Sequence, residues 1–226
     1  APSLERWLQR KADDPSELDI YGFTRDSLLE LIKLGTAVGK SGYERDIRKT
    51  IVPIGGGQEE ERWITLRNGA TLDYVPVANF LMRLHEKDPQ KAAWVGEEHR
   101  FTWSQLKRMA LAGRISADAL ESVKSWWWAS RNTQSPGQKY EEAVDNQMNI
   151  DPAWHAAFDV QEIWLSYDVD KDGIDEEIVL DFHYDSLTIL SARYNWYDDL
   201  HRPYRICPFI PVEGRWPGIG VGKQNE

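Results

Sequence analysis

The chain has 226 residues, a formal net charge of −10 and a pI near 5.1, with 27 Lys and Arg set against 37 Asp and Glu. That length fits one large domain or two small ones, and an acidic surface without clustered Lys and Arg excludes a tight non-specific grip on duplex DNA. Cys207 is the only cysteine, which excludes an intrachain disulfide and a cysteine-built zinc site and fits a reducing compartment.

The opening stretch APSLERWLQRKADDPSE has no signal-peptide layout and begins in helix-like sequence. The closing GIGVGKQNE stops as abruptly, so both ends read as cut from a longer chain. No apolar run approaches the length of a membrane span, since LLELIKLGTAVG is broken by Glu30 and Lys33. Residues 24–34, TRDSLLELIKL, predict a helix with Thr24 as N-cap, Leu28, Leu29 and Ile32 at helical spacing, and Gly35 as its stop. From Thr36 to about Leu84 the signals turn to strand. Asn68-Gly69, between RWITL and TLDYVPV, predicts a type I′ hairpin turn.

Residues 102–113 predict a second helix, with Thr102 and Gln105 spaced as a capping box and Gly113 as a stop. A third starts at Ser116 and runs through Trp126, Trp127 and Trp128. These are three of eleven tryptophans, a count that suggests large flat contact surfaces in the core or against partner chains. Residues 131–147 are polar and loop-like. A meander follows, from DVQEIWLSY through an acidic turn to EEIVLDFHY, then across Asp185-Ser186 to LTILSARYN, with Ile178, Leu180, Phe182 and Tyr184 alternating. Helices mixed with antiparallel hairpins make the fold class α+β, with an N-terminal part over residues 1–150 and a meander part over 151–226.

The acidic turn, YDVDKDGIDEEIVL, opens like a calcium loop. Asp168, Asp170 and Asp172 alternate and Gly173 follows, as the first half of an EF-hand loop requires. Val179 stands where that loop needs a bidentate glutamate, and strands flank it instead of helices. Two readings stay open: a hairpin turn held by Asx-type bonds, with Gly173 at positive φ, or a weak calcium site of Asp168, Asp170, Asp172 and Glu176. No other cofactor is expected.

Three other patterns give less. GTAVGKS at 35–41 imitates a phosphate loop but has three residues where four are needed, and it follows a predicted helix instead of a strand. GIGVGK at 218–223 lacks the strand–helix context of a dinucleotide fingerprint and reads as an irregular connector using glycine's freedom. His85, His99, His155, His183 and His201 are scattered without metal-ligand spacing, and no serine nucleophile elbow is present. No catalytic residue is expected.

The last third carries a more specific combination. EIWLSYDVDKDGIDEEIVLDFHYDSLTILSARYNWY is followed by HRPYRICPFIPVEGRWPGIGVGKQNE. An acidic Asp-Gly hairpin ends in Glu176-Glu177; then come Tyr194-Asn195, Arg202-Pro203, Pro208, Pro211 and a turn from Gly214 to Gly220. This resembles the portal proteins of tailed bacteriophages and prophages. LLELIKLGTAVGKSGYE, DYVPVANFL and AAWVGEEHRFTWSQLKRMALAGRI resemble the upstream portal segments, the last two at the wing.

The resemblance implies a structural subunit of a ring, usually of twelve copies, at one capsid vertex of the virion and assembled in the bacterial host cytoplasm. Double-stranded DNA passes through the channel of such a ring without tight binding. Its other partners are the capsid, the terminase large subunit and head–tail adaptor proteins, with no membrane involved. In that family a sequence like GVGKQNE leads into stem, clip and channel-loop helices, so the chain is expected to be a wing-region fragment. A calcium-dependent binding module using the Asp168–Asp172 loop is the alternative from another class, and an enzyme of unrecognised type a third.

Overall fold

The computed structural model describes residues 19–54, 58–130 and 157–221. Among these, three helices and eight strands run α1 (Ile20–Leu34), β1 (Thr36–Ile54), β2 (Gln58–Val75), β3 (Phe80–Met82), β4 (Trp94–Thr102), α2 (Trp103–Leu111), α3 (Ala117–Ser130), β5 (Ala157–Tyr167), β6 (Glu176–His183), β7 (Thr188–Tyr194) and β8 (Tyr204–Pro208). Helices with antiparallel sheets make the fold α+β, as expected. The chain divides into two units. The first takes the chain through Ala78, Leu84–Gln90 and everything from Pro203; the second takes Asn79–Arg83 and Lys91–Arg202. The boundary expected between residues 150 and 151, the loop expected at 131–147 and the helix-like opening lie outside the described residues.

In the first unit the sheet order is β2–β1–β8, all antiparallel. β1 and β2 make one long hairpin, from the pair Val38–Val75 to the pair Ile54–Gln58. Asn68-Gly69 is therefore not the turn that its local chemistry predicts. Asn68 pairs with Arg45 and Gly69 with Glu44 inside the ladder, and the register shifts directly after, between Asp46 and Ile47, leaving Leu66 as the extra residue of a bulge. Glycine beside a bulge is the other common use of glycine in a strand. The long ladder on both sides outweighs the local preference for a turn.

α1 also starts earlier than expected. Asp19 is its N-cap, accepting the Gly22 N–H at 2.8 Å, so Thr24 lies inside the helix. Its end matches the expectation: Gly35 takes φ 81° and donates its N–H to the Leu31 carbonyl at 3.0 Å. GTAVGKS thus supplies a helix C-cap and a strand. The glycines at 218–220 serve a different purpose from conformational freedom. A Cβ on Gly218 would fall 2.4 Å from the Gly35 carbonyl oxygen, and one on Gly35 would fall 2.2 Å from the Gly220 nitrogen. Two backbones touch there, and the Gly218 N–H donates to Thr36 Oγ1 at 2.7 Å.

The second unit is a five-stranded antiparallel sheet, β3–β4–β5–β6–β7, with α2 and α3 packed on it. The Thr102–Gln105 capping box forms as expected, with the Thr102 N–H donating to Gln105 Oε1 at 2.7 Å. The Ser116 carbonyl accepts the Leu120 N–H at 3.0 Å and opens α3. Trp103, Leu106, Leu120 and Val123 from the helices bury against Phe158, Val160 and Leu190 from the sheet, each large apolar side chain contributing roughly 1.5–3 kcal/mol. The tryptophan run divides by helical rotation. Trp126 meets His183 and Trp127 meets Phe158, while Trp128 is half exposed.

Candidate functional site

β5 and β6 pair from Val160–His183 to Tyr167–Glu176, which leaves residues 168–175 as an exposed turn, where the sequence places it. The turn is closed by its own carboxylates. Asp168 accepts the Asp172 N–H at 3.2 Å and the Gly173 N–H at 2.9 Å; Asp170 also accepts the Asp172 N–H, and Glu176 accepts the Val169 N–H at 2.9 Å. Gly173 sits at φ 92°, as the turn reading requires, and Lys171 at φ 65° is a less expected left-handed residue. Asx-type bonding and a cation site are therefore compatible in one geometry. Carboxylate oxygens of Asp168, Asp170 and Glu176 lie within 4.8 Å of one another. Asp172 is not in that group; its Oδ1 accepts the Ile174 N–H at 2.8 Å. Three hard oxygen donors fit calcium or magnesium chemistry and fall short of the six to eight oxygens that calcium prefers.

Directly behind the turn lies a clasp whose residues the sequence shows as a motif without showing how they bond. Arg202, 3% exposed, makes a bidentate pair with Glu177: Nε to Oε2 at 3.0 Å and Nη2 to Oε1 at 3.0 Å. Its Nη2 also donates to Ser166 Oγ at 3.0 Å and its Nη1 to the Ala92 carbonyl. The Glu177 carbonyl accepts the Asn195 N–H at 2.8 Å, and Asn195 Nδ2 donates to the Leu200 carbonyl at 2.9 Å. Glu177, Asn195 and Arg202 are thus brought together. The motif that stands out in the sequence is a structural fastening, its charges consumed in bonds.

A second network lies on the helix-covered side of the sheet. Arg193 bridges Asp181 at 2.5 Å and Glu162 at 3.5 Å, while Ser191 donates to Asp181 at 2.6 Å. These groups line a cavity of about 730 Å³ with His99 and Arg114, and its central charges already satisfy one another. Of the histidines expected at the surface or core edge, His183 is 1% exposed. The Ser186 N–H donates to its Nδ1 at 3.2 Å, and Trp126 and Phe158 flank the ring. Burial pushes its pKa below the usual 6.5. His155 lies outside the described residues.

The alternation of Ile178, Leu180 and Phe182 also carries information beyond secondary structure. On β6 the residues facing the helices are Val179, Asp181 and His183, all buried. The apolar set Ile178, Leu180, Phe182 therefore lies on the opposite face, which is only partly covered. That inverts the usual apolar-in, polar-out arrangement of a one-sided antiparallel sheet.

The described residues form no membrane-length apolar helix. No curated protein matches the chain. A family model described as phage SU10 portal protein matches residues 36–224, which covers both sheets, the acidic turn and the Glu177–Arg202 clasp, and the chain belongs to that portal protein family.

Proposed function

We propose that this chain is a non-catalytic building block of a dodecamer-like ring at one capsid vertex, assembled in the host cytoplasm before it becomes part of the virion. Double-stranded DNA passes the ring during packaging and ejection, and the ring serves as the dock for the terminase large subunit and head–tail adaptor proteins. The observation that carries this reading is the family match across residues 36–224. Two physical features support it. A net charge of −10 suits a wall past which DNA must slide. The buried charges of the second unit are spent on fastening the fold, in the manner of a scaffold.

Quantitative mass spectrometry of purified virions tests the proposal. The expected result is peptides of this chain as a minor component, at a ring's worth of copies beside the abundant capsid protein. Its absence from intact virions overturns the proposal. A second reading rests on the convergence of Asp168, Asp170 and Glu176: the turn takes calcium weakly, as an accessory to the hairpin and not as the chain's function.

A further inference from the structure

We infer that the outward apolar face of the β5–β6–β7 meander is a docking surface for a second copy of this chain, and that its occupant is the exposed stripe of that copy's α1. This rests on the portal reading for the existence of neighbouring copies; what it adds is which surfaces meet.

The meander face asks for a cover. Leu165, Tyr167, Val169, Ile178, Ile189 and Tyr194 line an open groove of about 490 Å³. Ile189 and Tyr194 on β7 are 52% and 64% exposed, although Asp181 and His183 of the neighbouring β6 are buried on the other side. Exposed apolar clusters of this kind mark interaction surfaces in folded proteins.

α1 offers the complementary shape. It buries none of its residues. Tyr21, Leu28, Leu29 and Ile32 are 80%, 50%, 48% and 50% exposed, and their spacing of 7, 8 and 11 from the first puts them on one stripe of the helix. A helix that lays such a stripe into an apolar groove is a recurring mode of recognition. Tyr21 to Ile32 spans about 16 Å at the helical rise, and the groove crosses three strands, from Leu165 on β5 over Ile178 on β6 to Tyr194 on β7.

Charge points to the same pairing. The groove's Tyr167 ends β5 and its Val169 lies in the acidic turn, where Asp168, Asp170, Asp172 and Asp175, with Glu176 just after, are opposed only by Lys171 in sequence. The α1 stripe carries Arg25 between its apolar residues and Lys33 at its end. Arg25 is bonded to Asp26 at 2.8 Å, but that pair is solvent-exposed and so holds it weakly. A closed ring also requires two different surfaces on each subunit, one given and one received. A stripe on one unit and a groove on the other meet that requirement; stripe against stripe would stop at a dimer.

Disulfide trapping tests the inference. In a Cys207→Ser background, which removes the one native thiol, one preparation carries Leu29→Cys and another Ile189→Cys. Both positions are exposed, and thermal melts establish that each variant is folded. Mixing under mild oxidation should give the mixed disulfide dimer, and a chain carrying both substitutions should give a head-to-tail ladder. Arg25→Glu should lower the mixed-dimer yield several-fold, and Asp170→Arg added to the partner should restore it. Oligomers by light scattering without the mixed disulfide overturn the inference and leave the ring reading standing. A strict monomer overturns the inference, and the ring reading then stands or falls on the virion measurement. A dimer formed by the Ile189→Cys chain alone shows an isologous contact and overturns the inference as well.

Discussion

Glu177 and Arg202, twenty-five residues apart, are joined by two hydrogen bonds of 3.0 Å each. They tie the segment after β7 to the hairpin that carries the acidic turn. The guanidinium is almost fully buried, and its remaining donors reach Ser166 and the Ala92 carbonyl. A planar fork bonded to three different segments cannot be replaced by a point charge. Removing one side of a buried pair leaves the other charge unpaired, at a cost of about 3–5 kcal/mol. Arg202→Ala should therefore lower the unfolding free energy measured in urea by that amount, and Arg202→Lys should recover only part of it. If Arg202→Ala melts like the parent, the clasp does not hold the second unit together.

How much of this was legible in the sequence follows the range of the interactions. The capping box, the Gly35 stop, the Ser116 start and the turn at 168–175 depend on residues within a few positions, and each lies where local chemistry puts it. Asn68-Gly69 failed because its local signal competes with a ladder extending from Val38 to Ile54. Thr24 failed because Asp19, five residues earlier, was the better acceptor for a free helical N–H. For the candidate site, the acidic turn and Asp168, Asp170 and Glu176 could be read directly. Asp172 could not be separated from them, because alternation alone does not say which carboxylate turns back to the backbone. The clasp's residues were visible as a motif, but their bonding depends on strand register. The meander's alternation was visible too, though not that its apolar side faces outward.

The bulge reading gives a direct contrast between two glycines. A Cβ on Gly69 would meet nothing within 4 Å, so Gly69→Ala should be neutral or stabilising by up to about 1 kcal/mol. In a type I′ turn the same change would be costly, because it would force a side chain to positive φ. Gly218→Ala should cost about 1–3 kcal/mol or more, since its Cβ would meet the carbonyl oxygens of Gly35 and Ile210 at 2.4 and 2.9 Å. Denaturation midpoints of the two variants decide both. Equal effects would remove the distinction between a bulge-side glycine and a backbone crossing.

His183 makes stability depend on pH in a predictable direction. Burial holds its folded-state pKa below 6.5, so the unfolded chain binds the proton more readily. Stability is then full above about 6.5 and declines as pH falls from there toward the lowered folded value. Protonation would also set an N–H at Nδ1 against the Ser186 N–H that now donates to it. His183→Leu should flatten the slope of melting temperature against pH between about 5 and 6.5. Asp159 and Asp185 oppose the burial effect, so Asp185→Asn should steepen the slope. An unchanged slope in His183→Leu would assign the pH dependence to other groups.

Calcium binding at the acidic turn should be weak, and dispensable for folding. Asp168, Asp170 and Glu176 supply three carboxylates within 4.8 Å, yet Val179 occupies the position of the bidentate glutamate and strands replace the EF-hand helices. The turn's backbone donors are already satisfied by these same carboxylates, so the hairpin closes without a metal. For a dissociation constant of about 1 mM, at the weak end of calcium sites, 10 mM calcium would stabilise by about 1.4 kcal/mol through mass action. That corresponds to a rise of roughly 3–6 °C in melting temperature for a chain of this size. Asp170→Asn and Glu176→Gln should abolish the rise. Asp172→Asn should keep it, because Asp172 stands outside the converging group and its Oδ1 accepts the Ile174 N–H. Chelator should leave the melting curve of the parent unchanged. Unfolding on chelation would make the metal a structural component, and a rise that survives Asp170→Asn and Glu176→Gln would place calcium elsewhere on the acidic surface.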